Sequence, residues 1–134
     1  MFLFHKPSED IEFNYDSEYG YLSFRFLLNK KSIILMSCEI LDDKIHISDI
    51  KPYDGSKRTK YFNKGYGSKL MNALLDYCKE NGVSEIYGEL SIVDLDHKDR
   101  LHHFYQKFGF DIVVFPCLMN CYYGSISKKL QTHL

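Results

Sequence analysis

Apolar and polar positions alternate through the first third of the chain and change period near residue 65. IEFNY (11–15) and YLSFRFLL (21–28) alternate, the second placing Leu22, Phe24, Phe26 and Leu28 on one face and Arg25 on the other. A period of two marks a half-buried strand. SIILMSCEIL (32–41) is a nearly continuous apolar run with β-branched residues at its start, which suits a central strand covered on both faces. KIHISDI (44–50) follows as a fourth strand, with Ile45 and Ile47 sharing a face. The runs are separated by short polar clusters: DSEYG (16–20), Asn29-Lys30-Lys31 and Asp42-Asp43. Strands joined by such short turns pair as an antiparallel meander.

KPYDGSKRTKYFNKG (51–65) is polar and turn-rich, and reads as a long exposed loop. Beyond it the period becomes helical. Leu70, Met71, Leu74, Leu75 and Cys78 fall on one side of a helix over 67–81, which Asn81-Gly82 stops. VSEIYGELSI (83–92) is a strand. Reached from strand 44–50 through a helix, it completes a β–α–β crossover, and the two strands should run parallel. An acidic loop, DLDHKD (94–99), precedes a second helix, RLHHFYQKF (100–108), ended by Gly109. FDIVVF (110–115) is a strand, PCLMN (116–120) a turn, and CYYGSISKKL (121–130) the last strand. The order is ββββαβαββ. It predicts an α/β or α+β protein whose mixed, mostly antiparallel central sheet carries one crossover. No repeat or linker interrupts it, so residues 1–134 read as one domain.

Composition narrows the function classes. With 45% hydrophobic and 26% charged residues the chain can bury a core and is not disordered. The formal net charge of −1 argues against nucleic acid as the partner, although Lys57, Arg58, Lys60 and Lys64 make a local basic run. MFLFHKP at the start is too short for a signal-peptide core or a membrane span, which places the protein in the cytoplasm. Cys38 and Cys78 fall on apolar positions and read as buried free thiols. Cys117 and Cys121 form a C-x3-C pair with no second pair, which gives neither a zinc site nor, in a reducing compartment, an expected disulfide. Asp94, Asp96, His97 and Asp99 miss the glycine and glutamate of a calcium loop, and adjacent His102 and His103 point to different sides of a helix. No metal is expected.

The candidate chemistry begins at Asn63-Lys64-Gly65-Tyr66-Gly67-Ser68-Lys69. Two glycines at a helix start let a ligand approach the backbone, and the free N–H groups of the first turn attract an anion. The pattern lacks the lysine-serine/threonine ending of a P-loop and the third glycine of a dinucleotide fold. In this context, a basic loop before and an amphipathic helix after, it predicts a phosphate cradle.

KGYGSKLMNALLDYCKENG, then EIYGELS, then HHFYQKFGF, in that order, resemble the GCN5-related N-acetyltransferases (GNAT superfamily) over roughly residues 44–130. The resemblance implies an acyl-CoA N-acyltransferase fold and direct transfer of acetyl from acetyl-CoA to a primary amine. It implies that Ile50, Lys51, Asn63, Lys64, Gly65, Tyr66, Gly67, Ser68 and Lys69 hold the acyl donor, their backbone amides gripping the pyrophosphate. It makes Tyr105 the general acid, against the alternative that this ring only packs beside Phe104 and Phe108. For the base, Glu89 and Asp49 lead, with Glu39 and His46 behind. A backbone N–H between Asp49 and Lys51 is expected to polarise the thioester carbonyl.

Two departures from the family pattern follow. Phe62 stands where the family usually carries Arg or Gln, leaving Lys64 or Arg58 to substitute. The family's two helices between its first two strands are missing, since Asp16–Gly20 alone fills that interval. The acceptor, a small molecule or a protein, should therefore meet an open site, or one closed by the 51–64 loop or by a second copy in a homodimer. The same departures keep a second reading open: a non-catalytic binding or regulatory module of this fold.

Overall fold

A computed structural model describes residues 6–131. Seven strands form one sheet in the order β1-β2-β3-β4-β5-β7-β6. They are β1 (Glu9–Asp16), β2 (Tyr21–Leu28), β3 (Lys31–Leu41), β4 (Lys44–Pro52), β5 (Glu85–Ser91), β6 (Asp111–Met119) and β7 (Tyr122–Lys129), with helices α1 (Tyr66–Asn81) and α2 (Lys98–Lys107). Every pairing is antiparallel except β4 with β5, as the crossover requires. The mixed, mostly antiparallel ββββαβαββ architecture is the one expected from the sequence.

Turn chemistry sets the meander. Asn29 and Lys30 both take positive φ (51° and 67°), the backbone of a tight hairpin whose twist matches the strands. Asp42 does the same at 57° between β3 and β4. Between β1 and β2 there is a turn and no helix, capped by Asp16 Oδ1, which accepts from the N–H of Glu18 at 3.0 Å. The core lies on one sheet face. Leu22, Phe24 and Phe26 of β2, Met36 and Cys38 of β3, and Ile45 and Ile47 of β4 pack with Leu70, Met71, Leu74 and Cys78 of α1 and Tyr105 of α2. Alternate positions turn to the other face, where Glu39, His46 and Tyr87 stand side by side in register.

Most elements differ from the expected bounds by one or two residues, and three segments differ more. β6 continues through 116–119 and turns only at Asn120-Cys121, where Asn120 has φ 59°. It accommodates Pro116 because β6 is the sheet's edge, and an edge strand can spare an N–H. The 51–65 loop contains a 3-10 turn, Arg58–Tyr61, and the acidic loop is another, Ile92–His97, running into α2. The N-terminal segment MFLF lies outside the described residues. Among the described residues no helix is long and apolar enough to cross a membrane.

The site is opened by one extra residue. Ser37 pairs with Asp49 and Cys38 with Ile47, so Ser48 is a bulge in β4. The bulge shifts the inward positions from Ile45 and Ile47 to Ile50 and Pro52. β4 and β5 pair only over Lys44–Ile47 and Glu85–Gly88. Past that point the two strands diverge, and the β5-facing edge of β4 has no strand partner.

Candidate active site

The divergence opens into a cleft of about 700 Å³. It runs from Glu39, His46 and Glu89 on the helix-free face, between β4 and β5, to Gly65, Gly67 and Ser68 at the start of α1. Of the residues expected to hold an acyl donor, Ile50, Lys51, Asn63, Gly65, Tyr66, Gly67 and Ser68 line it. Lys64 and Lys69 do not. Lys69 is instead paired with Glu9 of β1 and lies over the Phe26 ring, which draws its charge to the far side of the helix.

The start of α1 is built bare. Gly65 is the N-cap at φ 76°, a left-handed conformation that glycine adopts without a steric penalty. No side chain caps the helix and no acid lies in its first turn. The first helical bond is donated by Lys69 to the Gly65 carbonyl. Among the described residues the N–H groups of Tyr66, Gly67 and Ser68 therefore have no protein acceptor, and the helix dipole adds to their positive potential. A Cβ at Gly65 would meet no atom within 4 Å, so the cradle is open in front of it. These groups fit a diphosphate.

Two cations of the basic loop are engaged by acids. Arg58 donates to both oxygens of Asp49 (2.7 and 3.1 Å) and to the Ile50 carbonyl (3.3 Å), and sits 3.7 Å from Asp94. The Asp49 pair raises the Arg58 pKa further. Arg58 thus ties the 3-10 turn to the diverging end of β4. Both Asp49 oxygens are thus engaged by the guanidinium. Lys60 is likewise engaged by Asp54 and Ser56.

Glu89 is placed differently. Its Oε2 lies 2.5 Å from His46 Nε2, and His46 Nδ1 is 3.9 Å from Glu39 Oε1. Parallel pairing of β4 with β5 puts His46 against Tyr87, two residues before Glu89. The contact needs a register that no single strand's sequence contains.

Tyr105 is buried on α2, edge-on to Phe104 and Phe110, and also lines the cleft. The ring packs as the alternative reading expects, and it also borders the cleft. Burial pushes its phenol above the ordinary range, and Asp94 and Asp49 add to the rise. Among the described residues its hydroxyl has no hydrogen-bond partner. Cys38 and Cys78 are buried free thiols, Cys78 pushed up to about 12 by desolvation, and Cys117 and Cys121 are exposed and unpaired. No group of three metal-ligating side chains occurs among the described residues.

Sequence reasoning missed three contributors. Arg100 and Lys107 of α2 reach the glycine loop, donating to Asn63 Oδ1 at 2.5 Å and Ser68 Oγ at 2.7 Å. The third is the Ser48 bulge, whose only sequence trace is the phase change from Ile45 and Ile47 to Ile50.

Residues 57–110 match the model of the Acetyltransferase (GNAT) family. Uncharacterized protein YocC of Bacillus subtilis is 36% identical over 73 residues, which is 54% of this chain and 39% of that protein. Among solved structures, the PaiA N-acetyltransferase from Thermoplasma acidophilum in complex with coenzyme A superposes with a TM-score of 0.66 at 17% identity, over 85% of this chain and 64% of that one. An acetyltransferase of the GNAT family from Staphylococcus aureus gives 0.65 at 18% identity, over 85% and 71%. The chain thus spans 39% of the curated relative it matches and 64% of the PaiA chain. Residues 57–110 thus match the GNAT family model and the fold is similar to that of solved GNAT acetyltransferases, in line with the sequence resemblance.

Proposed function

We propose that this GNAT-fold chain is an N-acetyltransferase that takes acetyl-CoA as acyl donor and transfers acetyl to a primary amine by direct attack, residues 1–134 forming one catalytic domain. One observation carries the reading. A single cleft joins an uncapped helix start, the unpaired edge of β4, the Tyr105 phenol and the Glu89 carboxylate. The coenzyme A bound to the PaiA structure supports the choice of donor. The donor brings an activated thioester; this chain supplies position, polarisation and proton transfer.

The backbone N–H groups of Tyr66, Gly67 and Ser68 hold the diphosphate. The free edge of β4 from Asp49 to Lys51 receives the pantetheine and points an N–H at the carbonyl oxygen as it gains negative charge. Glu89, with His46 beside it, takes the proton from the attacking amine. A C–N bond forms as the C–S bond breaks, and the sulfur leaves toward Tyr105. A phenol held above its ordinary pKa stays protonated at neutral pH. It is also a weaker acid than a thiol near 8.5. Tyr105 therefore stabilises the departing thiolate chiefly as a hydrogen-bond donor, and the sulfur takes its final proton from Tyr105 or from water.

The test is thiol release from acetyl-CoA in the presence of primary amines, together with the melting temperature at millimolar acetyl-CoA. A rise in melting temperature and amine-dependent thiol release are expected. Tyr105→Phe and Glu89→Gln should each lower kcat tenfold or more with coenzyme A affinity nearly unchanged. Absence of any thermal shift refutes the donor assignment. A shift with no thiol release for any amine supports the non-catalytic reading instead.

A further inference from the structure

Neither lysine of the glycine loop, Lys64 or Lys69, lines the cleft. Lys69 is paired with Glu9, Arg58 with Asp49 and Asp94, and Lys64 lies outside the cleft. At position 62 the chain has an aromatic ring. Two cations reach the loop from α2 instead. The Arg100 guanidinium lies over the Phe62 ring, 4.9 Å from its centroid, while donating to Asn63. Lys107 lies 5.1 Å from the Phe108 ring centroid while donating to Ser68. Residues 100 and 107 are two turns apart, so both project from one side of α2, and both line the cleft. The bare N–H groups of residues 66–68 therefore have a cation at each end of the loop.

We propose that Arg100 and Lys107 are the side-chain ligands of the donor's diphosphate, and that the Phe62–Arg100 stack replaces a polar side chain at position 62. The inference rests on the acetyl-CoA reading above and adds the residues that neutralise the phosphates. One contact leaves most of each group's donors free, since a guanidinium has five N–H and an ammonium three. The ring under Arg100 holds the guanidinium flat, which lowers the conformational cost of presenting it to a phosphate. A charge-assisted hydrogen bond to a phosphate is about twice as strong as a neutral one, and losing one weakens binding about tenfold or more.

The experiment compares two donors in the full chain. Acetyl-CoA carries the diphosphate; S-acetylpantetheine carries the same thioester without phosphates. Arg100→Gln and Lys107→Gln should each raise the KM for acetyl-CoA about tenfold, with kcat within about twofold. The loss in kcat/KM for S-acetylpantetheine should be at least fivefold smaller. Adding Phe62→Gln to Arg100→Gln should recover at least half of the lost coenzyme A affinity, measured by calorimetry. Arg100→Gln that binds coenzyme A like the wild type overturns the proposal. So does an equal loss with both donors, which would make Arg100 a support for the fold. Wild-type protein that binds no coenzyme A overturns the donor reading, and this inference with it.

Discussion

Alanine at Gly65 and alanine at Gly67 should act in opposite directions. Gly65 sits at φ 76°, where an L side chain is strained by about 1–2 kcal/mol. A less flexible unfolded chain returns about 0.4–1 kcal/mol of that. The net cost is about 1 kcal/mol, or about 4 °C in melting temperature for a chain of this size. Gly67 carries no such strain. It lies in the first turn of α1, and a Cβ there would rest 3.5 Å from the Phe104 ring, an ordinary contact. Removing a glycine from a helix gains about 0.5–1 kcal/mol, less in a first turn, so Gly67→Ala should raise the melting temperature by about 2 °C. Function should separate the two again. Relief of the strain at residue 65 rotates the N–H groups out of the cradle, and acetyl-CoA should bind about tenfold more weakly, a loss of about 1.4 kcal/mol. At residue 67 the methyl points at α2, and affinity should stay within about threefold, or about 0.7 kcal/mol. Differential scanning fluorimetry and isothermal titration calorimetry read both quantities. Equal destabilisation at the two positions, or unchanged affinity in Gly65→Ala, would refute the assignment of the left-handed cap as the residue that shapes the cradle.

Arg58→Leu removes the tie between the 3-10 turn and the end of β4. Two partly exposed carboxylates lose their partner, which after discounting for solvent screening costs about 2 kcal/mol, and denaturant melts should show it. A loss below about 0.5 kcal/mol would mean that the loop does not depend on this pair. Gly124→Ala would bring a Cβ within 2.5 Å of the Val113 carbonyl, a backbone clash in the β6–β7 hairpin, and should cost about 2 kcal/mol or more; tolerance would refute the register there. Alkaline stability should follow Tyr105. Its folded pKa is raised above its unfolded value near 10, so its contribution is complete below pH 10 and is lost as pH rises further. The buried thiols of Cys38 and Cys78 act in the same direction from about pH 9. Melting temperature should therefore fall above pH 9, and less steeply in Tyr105→Phe; parallel curves would refute the buried phenol.

The sequence alone determined the elements and the character of the loop. Alternation located β1 and β2, a continuous apolar run located β3, helical spacing located α1 and α2, and Asn29, Asp42 and Gly82 fixed turns and a helix end, because each of these is a local steric or periodic property. Gly65 and Gly67, taken with the basic loop before them and the amphipathic helix after, gave the expectation of a phosphate cradle. The tertiary structure decided which charges lie beside that loop. Lys57, Arg58, Lys60 and Lys64 are near it in sequence, yet Arg58 and Lys60 are engaged by acids and Lys64 lies outside the cleft. Arg100 and Lys107, more than thirty residues away, reach the loop because α2 packs beside the start of α1. Likewise, His46 and Glu89 meet only through the β4–β5 register, and Asp49 is paired only because Arg58 folds back onto it. Side-chain charge is written in the sequence. Whether it is free or paired depends on which neighbours the fold brings within a few ångströms, because Coulombic and hydrogen-bond energies fall off over that distance.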